Sequence, residues 1–177
     1  TLIIGVDNME IYKPVAGVAA DTSQVRILIS NLPDIPGTAA ELFGALAKNN
    51  ISVDMIIQSL AVNGKNSIAF TVNADDLDET LIILNNEVKS GEILTDKDIA
   101  KVSIVGAGMV DRPGIAADMF RSLADKNINI KMISTSEIKI SCLVDKQNAN
   151  DAIKALCKEF DLESKEIAAV KGDLPNL

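Results

Sequence analysis

An internal repeat constrains the fold of this chain more than any other feature of its sequence. Residues 36–60 recur at 113–137, 77 positions later, and 12 of the 25 aligned residues are identical. Unrelated segments of this length would share about two identities. A chain of 177 residues ordinarily forms one domain or two small ones, and the repeat favours two modules of the same fold.

Apolar periodicity predicts the same elements in both modules. After each Pro-Gly pair, apolar residues follow one helical face, at Ala39, Leu42, Phe43, Leu46 and Ala47 and again at Ala116, Met119, Phe120, Leu123 and Ala124. Further helices are predicted at 76–88 and 150–160. Strands are predicted at 15–20, 25–30, 52–60, 67–72, 92–94, 101–105, 129–134, 138–144 and 167–170.

The order of these elements predicts the fold class. Each module has the order strand, helix, strand, strand, helix, strand, which predicts an α+β protein of two tandem ferredoxin-like (βαββαβ) modules. Their sheets are antiparallel, with helices on one face, and the other face needs cover from a second module or a second copy. The strands at 15–20 and 25–30 are expected to introduce the first module together, as those at 92–94 and 101–105 introduce the second. The predicted division is an N-terminal tail at 1–14, module 1 at 15–95 and module 2 at 96–177, and exchange of terminal strands between modules stays open.

The composition limits the classes of partner that the chain is expected to bind. It is 47% hydrophobic with four Phe, one Tyr and no Trp, so the core is expected to be aliphatic. A net charge of −8 opposes phosphate backbones and anionic lipid, which argues against nucleic-acid and membrane partners. No apolar window of spanning length and no signal peptide are seen, so a cytoplasmic location is expected. Because residue 1 is Thr, we expect a chain that is processed or cut from a longer one.

Catalytic and metal-binding signatures are weak. His is absent, which removes the commonest general base and metal ligand. Ser136-Glu137 and Asp111-Arg112 are polar pairs, but turns are polar by default. Gly106-Ala107-Gly108 follows a strand, yet Asp111 stands where a dinucleotide-binding loop needs its third glycine. We therefore predict no catalytic residue, no metal and no cofactor.

The two Asp-x-Pro-Gly turns are the best candidate sites. Each precedes a helix whose first N–H groups lack intrahelical partners and suit a carboxylate, while Asp34 or Asp111 suits an ammonium. One turn could therefore hold both ends of a free amino acid. The alternative is a purely structural β-turn, with Pro fixing φ and Gly ending it. Gln58, aligned with Thr135, has two interpretations as well: a hydrogen bond to a neighbouring strand, or a ligand contact.

Two segments carry a family resemblance. DIPGTAAELFGALAKNNISVDMIIQ at 34–58 and KVSIVGAGMVDRPGIAADMFRSLADKNINIKMISTSEIKISCLV at 101–144 look very like the tandem ACT domains of aspartate kinase. VSIVGAGM and ISTSEIKIS are specific to that family, and the resemblance covers residues 15–171. The leading 19 residues resemble the junction that follows the kinase domain. The chain therefore resembles a regulatory β subunit, or the regulatory part of a longer α chain.

The resemblance implies two effector sites. In the family, the helix-start loop of the first module and the strand-start of the second meet within a dimer to enclose threonine or lysine. The implied effector-binding residues here are Asp34, Gly37, Ala39, Gln58, Asn129 and Ile130. Asp34 would face the ammonium, N–H groups near Gly37 and Ala39 the carboxylate, and Gln58 and Asn129 the side chain. The implied second site comprises Asp111, Pro113, Gly114, Ser52, Val53, Asp54, Thr135, Ser136 and Glu137.

The two implied sites differ in charge. Lys131 stands in the second repeat where the first has Asp54, and Arg112 where the first has Ile35. We expect L-threonine at the first loop, and L-lysine, L-threonine or nothing at the second.

The expected function is a non-catalytic, amino-acid-sensing homodimer that inhibits an attached or partner aspartate kinase by feedback. The alternatives are a structural dimerisation module with empty loops and a small ferredoxin-like enzyme such as an acyl-phosphate hydrolase. The sequence leaves open which amino acid fills which site and how the dimer pairs.

Overall fold

The computed structural model describes residues 13–87, 91–109 and 112–162. Eight strands and four α-helices lie in these ranges. In chain order, the first seven are β1 (Gly17–Asp21), β2 (Gln24–Pro33), α1 (Thr38–Lys48), β3 (Val53–Gln58), β4 (Lys65–Asn73), α2 (Leu77–Glu87) and β5 (Glu92–Asp96). They are followed by β6 (Ile99–Val105), α3 (Ile115–Asp125), β7 (Met132–Ser136), β8 (Lys139–Asp145) and α4 (Ala149–Glu159). The predicted strand at 167–170 and most of the tail at 1–14 fall outside the described residues.

The strands form two antiparallel four-stranded sheets. The first has the order β3-β4-β2-β5 and the second β1-β6-β8-β7. In the first sheet the connections are those of a ferredoxin-like βαββαβ unit, with α1 and α2 packed together on one face. In the second, α3 and α4 pack together in the same way. The predicted α+β class of two tandem ferredoxin-like modules is confirmed.

Strand β1 belongs to the second sheet, although it precedes the first in sequence. It pairs with β6 from Gly17↔Val105 to Asp21↔Lys101 and takes the position that β5 has beside β2 in the first sheet. The expectation that 15–20 and 25–30 introduce one module together is therefore wrong, as is the matching expectation for 92–94 and 101–105. The reason is geometric: two strands joined by a short turn can form a hairpin or enter different sheets with the same alternation of apolar residues.

Both helix-covered cores are mainly aliphatic. In the first module Ile27, Leu46, Ile68 and Leu84 are almost fully buried, and Phe70 meets Phe43 edge to face with ring centroids 5.4 Å apart. In the second, Ile104, Met119, Leu123 and Ile153 are buried in the same way. This packing holds α1 and α3, which the Pro-Gly loops precede, against the sheets.

A third, smaller core joins the two sheets. It consists of Met55, Ile99, Met132 and Leu143. Ile99 and Leu143 alternate along their strands with Ala100, Cys142 and Val144, which enter the helix-covered core, so the joining core lies on the helix-free faces. The modules thus cover part of each other's uncovered faces.

Ion pairs surround this joining core. Asp96 Oδ2 accepts from Arg26 at 3.1 Å and from Lys131 at 3.0 Å, and Lys131 also meets Asp145 at 2.6 Å. Burial alone would raise the pKa of the Asp96 carboxyl, but the hydrogen bond and charge of Lys131, with the charge of Arg26, hold it below its ordinary value. The contact between the modules is therefore polar at its rim and apolar at its centre.

Gly106 and Gly108 lie where the N-terminal segment enters the second sheet. Ala16 N donates to Val105 O at 2.7 Å, and the incoming segment passes so close that a Cβ on Gly106 would lie 2.1 Å from Pro14 O. A Cβ on Gly108 would lie 2.9 Å from Pro14 Cα. The glycines that resemble part of a dinucleotide loop therefore have a structural reason, the close approach of backbone.

The first prediction follows from this approach. Gly106→Ala should lower the free energy of unfolding by about 1–3 kcal/mol, because backbone must shift to admit the methyl group. Gly44→Ala is the control: Gly44 lies within α1 with open space around its Cα, so alanine should raise stability by up to about 1 kcal/mol. Urea denaturation measures both. Equal stability of the Gly106→Ala variant and the wild type would contradict the close approach.

The second prediction concerns how the contribution of Asp96 to stability depends on pH. A carboxyl whose pKa is depressed in the folded state contributes stability above its unfolded pKa of about 4 and loses that contribution as pH falls through the folded value. Asp96→Asn should therefore be less stable than the wild type at neutral pH, and the difference should shrink as the pH falls below about 4. Denaturation across this pH range measures it, with Asp98→Asn, an exposed carboxyl two residues away, as control. A difference that does not change with pH would contradict the assigned ion pairs.

Candidate functional site

The two Pro-Gly loops have the same backbone conformation. Gly37 and Gly114 both adopt the left-handed region, with φ of 104° and 103°, directly before α1 and α3. Their carbonyls accept from Glu41 N and Asp118 N, each at 2.9 Å. Space beside both glycines is open, since an added Cβ would meet no atom within 4 Å. The positive φ explains why glycine stands at both positions.

The helix starts at these loops are uncapped. Within the described chain, no side chain hydrogen-bonds to the N-terminal N–H groups of α1 or α3. Ala39 and Gly37 are exposed, and Thr38 Oγ1 turns back to Pro33 O at 3.0 Å. Thr38 N donates to Ile35 O at 3.4 Å. First-turn N–H groups without a side-chain partner, at the positive end of a helix dipole, suit an anionic group such as a carboxylate.

Asp34 is held in the first loop by two hydrogen bonds. Its backbone N donates to Gly64 O at 3.0 Å, and its Oδ1 accepts from Asn66 Nδ2 at 2.9 Å. Asp34 itself is exposed, whereas Asn66 is only 5% exposed. The loop therefore presents an anchored carboxylate to solvent close to an uncapped helix start.

Asn66 is a residue that the sequence reasoning missed. Its signal was in the alternation of β4, where Asn66 has the same parity as Ile68, Phe70 and Val72 and so points to the helix-covered side. A polar residue on the apolar side of a strand requires a partner. Here the partner is Asp34.

The remaining residues of the first implied site lie apart within one chain. Gln58 is exposed at the end of edge strand β3, and no hydrogen bond of its side chain is found among the described residues. Asn129 is exposed and Ile130 packs against the second core, both just before β7 rather than in it as predicted. Over the described ranges, no hydrogen bond or ion pair joins these two to residues 34–39.

The second loop borders a cavity of about 390 Å³. Four residues of the second implied site line it: Gly114, Thr135, Ser136 and Glu137. Arg112, from the loop, and Ala116, from the start of α3, line it too. Pro113 borders a neighbouring cavity of about 230 Å³, and Asp111 lies outside the described residues. The structure thus brings the second loop and the β7–β8 turn of the same module together.

The other residues assigned to the second site are placed differently. Ser52 is exposed, Val53 packs against the first core, and Asp54 forms an ion pair with Lys101. Lys131, the repeat counterpart of Asp54, pairs with Asp96 and Asp145. The hydrogen bond to Asp145 and the charges of both carboxylates raise the pKa of Lys131, against the opposing effect of burial. The charge difference between 54 and 131 thus serves the contact between modules.

No helix in the described part of the chain is long and apolar enough to cross a membrane.

Comparison with known proteins agrees with this fold. A family model described as the ACT domain matches residues 26–88 and 102–160. The aspartokinase of Helicobacter pylori is 44% identical over 150 residues, which is 84% of this chain and 37% of that protein. The chain therefore spans well under half the length of this relative.

Two solved structures extend the comparison. The regulatory subunit of aspartate kinase from Thermus thermophilus, in its ligand-free form, is 41% identical with a TM-score of 0.80, covering 84% of this chain and 99% of that one. Aspartokinase III of E. coli in complex with lysine and aspartate is 25% identical with a TM-score of 0.70, covering 87% of this chain and 35% of that one. The resemblance seen in the sequence is confirmed. The chain belongs to the ACT domain family and, within it, to the regulatory regions of aspartate kinases.

Proposed function

We propose that this chain senses free amino acids and inhibits an aspartate kinase catalytic domain by feedback, with L-threonine bound at the first loop. The observation that carries the proposal is the pairing of an anchored Asp34 carboxylate with the uncapped start of α1. A free amino acid carries an ammonium and a carboxylate on one carbon. The loop offers a group of opposite charge to each.

The surroundings of the first loop suit a small ligand. Open space beside Gly37 and the small, exposed Ala39 leave room against the helix start. Gln58 is exposed, so its amide is available to a ligand hydroxyl. Asn129 and Ile130 would come from a second copy of the chain, which makes the homodimer part of the proposal.

A second ligand fits the other loop. The cavity there is lined by both a cationic and an anionic side chain, Arg112 and Glu137, together with the hydroxyls of Thr135 and Ser136. Glu137 would suit the side-chain ammonium of L-lysine, and lysine is bound together with aspartate in the E. coli structure. We therefore assign L-lysine to this cavity, with L-threonine as the competing occupant.

Inhibition follows from differential affinity. A ligand that binds one arrangement of the modules more tightly shifts the population toward it, and a coupling of about 1–3 kcal/mol gives 5- to 150-fold inhibition. The partner is the kinase catalytic domain, on the same or another chain, in the cytoplasm. A structural dimerisation module would share the same cores and differ in leaving both loops empty.

The third prediction tests binding directly. L-Threonine at about 100 times its Kd should raise the free energy of unfolding by roughly 2.7 kcal/mol and the unfolding midpoint by several degrees. Addition of L-lysine should raise it further if the second cavity binds lysine, and L-methionine serves as the control ligand. Thermal unfolding of the full chain measures all of these. No shift with threonine or lysine would support the structural module instead.

The fourth prediction separates a sensor from a scaffold. Gln58→Ala should leave stability nearly unchanged, because the side chain is exposed and unpaired in the described chain. It should weaken threonine binding by about tenfold through loss of one ligand hydrogen bond. Titration calorimetry measures the affinity, and Gln147→Ala, in the second module, is the matched control. Unchanged threonine affinity in Gln58→Ala would remove Gln58 from the site.

A further inference from the structure

We propose that Asn66 is the positioning residue of the first loop: it orients the Asp34 carboxylate and thereby sets the affinity for the ligand's ammonium. This inference rests on the proposed function, because it concerns how the same loop recognises an amino acid. Asn66 lies outside the effector-binding residues implied by the family resemblance.

Asn66 is buried in the first module. It lies near the start of β4, opposite Leu32 of β2, beside an irregularity in the pairing where Asn31 has a φ of 60°. Its residue is 5% exposed, and it lies on the same side of the strand as Ile68 and Phe70. An amide in such a place loses its hydration and requires a protein partner.

The Asn66 amide holds one oxygen of the Asp34 carboxylate. Nδ2 donates to Asp34 Oδ1 at 2.9 Å, a bond strengthened by the charge of the carboxylate. The backbone of Asp34 is fixed separately by the bond to Gly64 O. Asp34 Oδ2 has no hydrogen bond among the described residues, so the carboxylate is held at one oxygen and open at the other. That arrangement suits a group that must receive an ammonium in a fixed direction.

Asn66 has one atom without a partner in the described chain. Its Oδ1 is buried and has no hydrogen-bond partner within the described chain. Turning the amide over would place that oxygen against the Asp34 carboxylate, so the bond to Asp34 dictates the orientation and the oxygen stays unpaired. Such an atom costs stability. The position therefore serves the loop rather than the core.

The second module differs at this point. Gln58↔Ile68 and Thr135↔Ile140 are equivalent pairs of the two sheets, which makes Ile138 the counterpart of Asn66. The side chain of Ile138 has no donor for a loop carboxylate. The two loops thus share their glycine geometry, whereas only the first has an amide donor at this position of its sheet.

The experiment is a double-mutant cycle on the full 177-residue chain, with L-threonine as the probe and titration calorimetry as the measurement. The variants are Asn66→Leu, Asp34→Asn and the two combined. Asn66→Leu should weaken threonine binding by about tenfold or more in the wild-type background. In the Asp34→Asn background, the same change should alter affinity by no more than about twofold, since Asn66 acts only through the charge of Asp34.

The control separates positioning from general destabilisation. Asn73→Ala changes the same residue type at the other end of β4 and removes a bond of 3.1 Å to Asp75 N. It should lower the free energy of unfolding and leave threonine affinity within about twofold of the wild type. Urea denaturation without ligand shows whether each variant is folded.

Three results would overturn the inference. Equal losses from Asn66→Leu in both backgrounds would mean that Asn66 does not act through Asp34. Unchanged affinity in a folded Asn66→Leu variant would mean that it does not act on binding. If wild type itself gave no heat with threonine, the proposed threonine site and this inference would both fall, whereas the first two results leave the proposed function intact.

Discussion

The helix-free faces of the two sheets are the constraint on which the rest of the structure depends. A four-stranded sheet with helices on one side leaves its other side exposed, and neither module is large enough to fold back over that side. Met55, Ile99, Met132 and Leu143 bury part of both faces in one joining core. Because β1 is built into the second sheet and β5 into the first, the modules are also linked by the chain itself. The joining core therefore fixes the two modules against each other, so they are not independent domains connected by a linker.

The ion pairs around that core are nearly the same in the two modules, and they differ at the repeat positions 54 and 131. Arg26 faces Asp96 across β2 and β5 as Lys101 faces Asp21 across β6 and β1. The repeat positions 54 and 131 break the pattern, because Asp54 neutralises Lys101 while Lys131 bridges two carboxylates. Equal charges at both positions would leave one side of the rim without its counter-charge. The asymmetry is electrostatic complementarity between the modules, whereas the sequence alone predicts from it a difference between ligand sites.

The sequence predicted the positions of the helices and strands better than the long-range contacts between them. The Pro-Gly pairs and helical periodicity located α1 and α3, because local chemistry alone dictates those helix starts. The sheet that β1 joins depends on pairing with residues 80 to 88 positions away, from Lys101 to Val105, and the alternation of apolar residues is the same in either sheet. Asn66 was predictable in principle, since a polar residue interrupts the apolar parity of β4. Its partner Asp34 was not, because 32 residues separate them.

The proposed ligand walls lie next to the residues that join the modules. Strand β3 carries exposed Gln58 at one end, while Asp54 and Met55, at the other, contact the second module. Ile130, likewise, directly precedes Lys131, which holds Asp96 of the first sheet. A ligand that draws these walls together would move two short segments. The residues next to those segments are held in place by ion pairs and by the joining core. Under the proposed function, the ligand's binding energy would act on the contact between modules through β3 and the residues before β7, because both segments adjoin that contact.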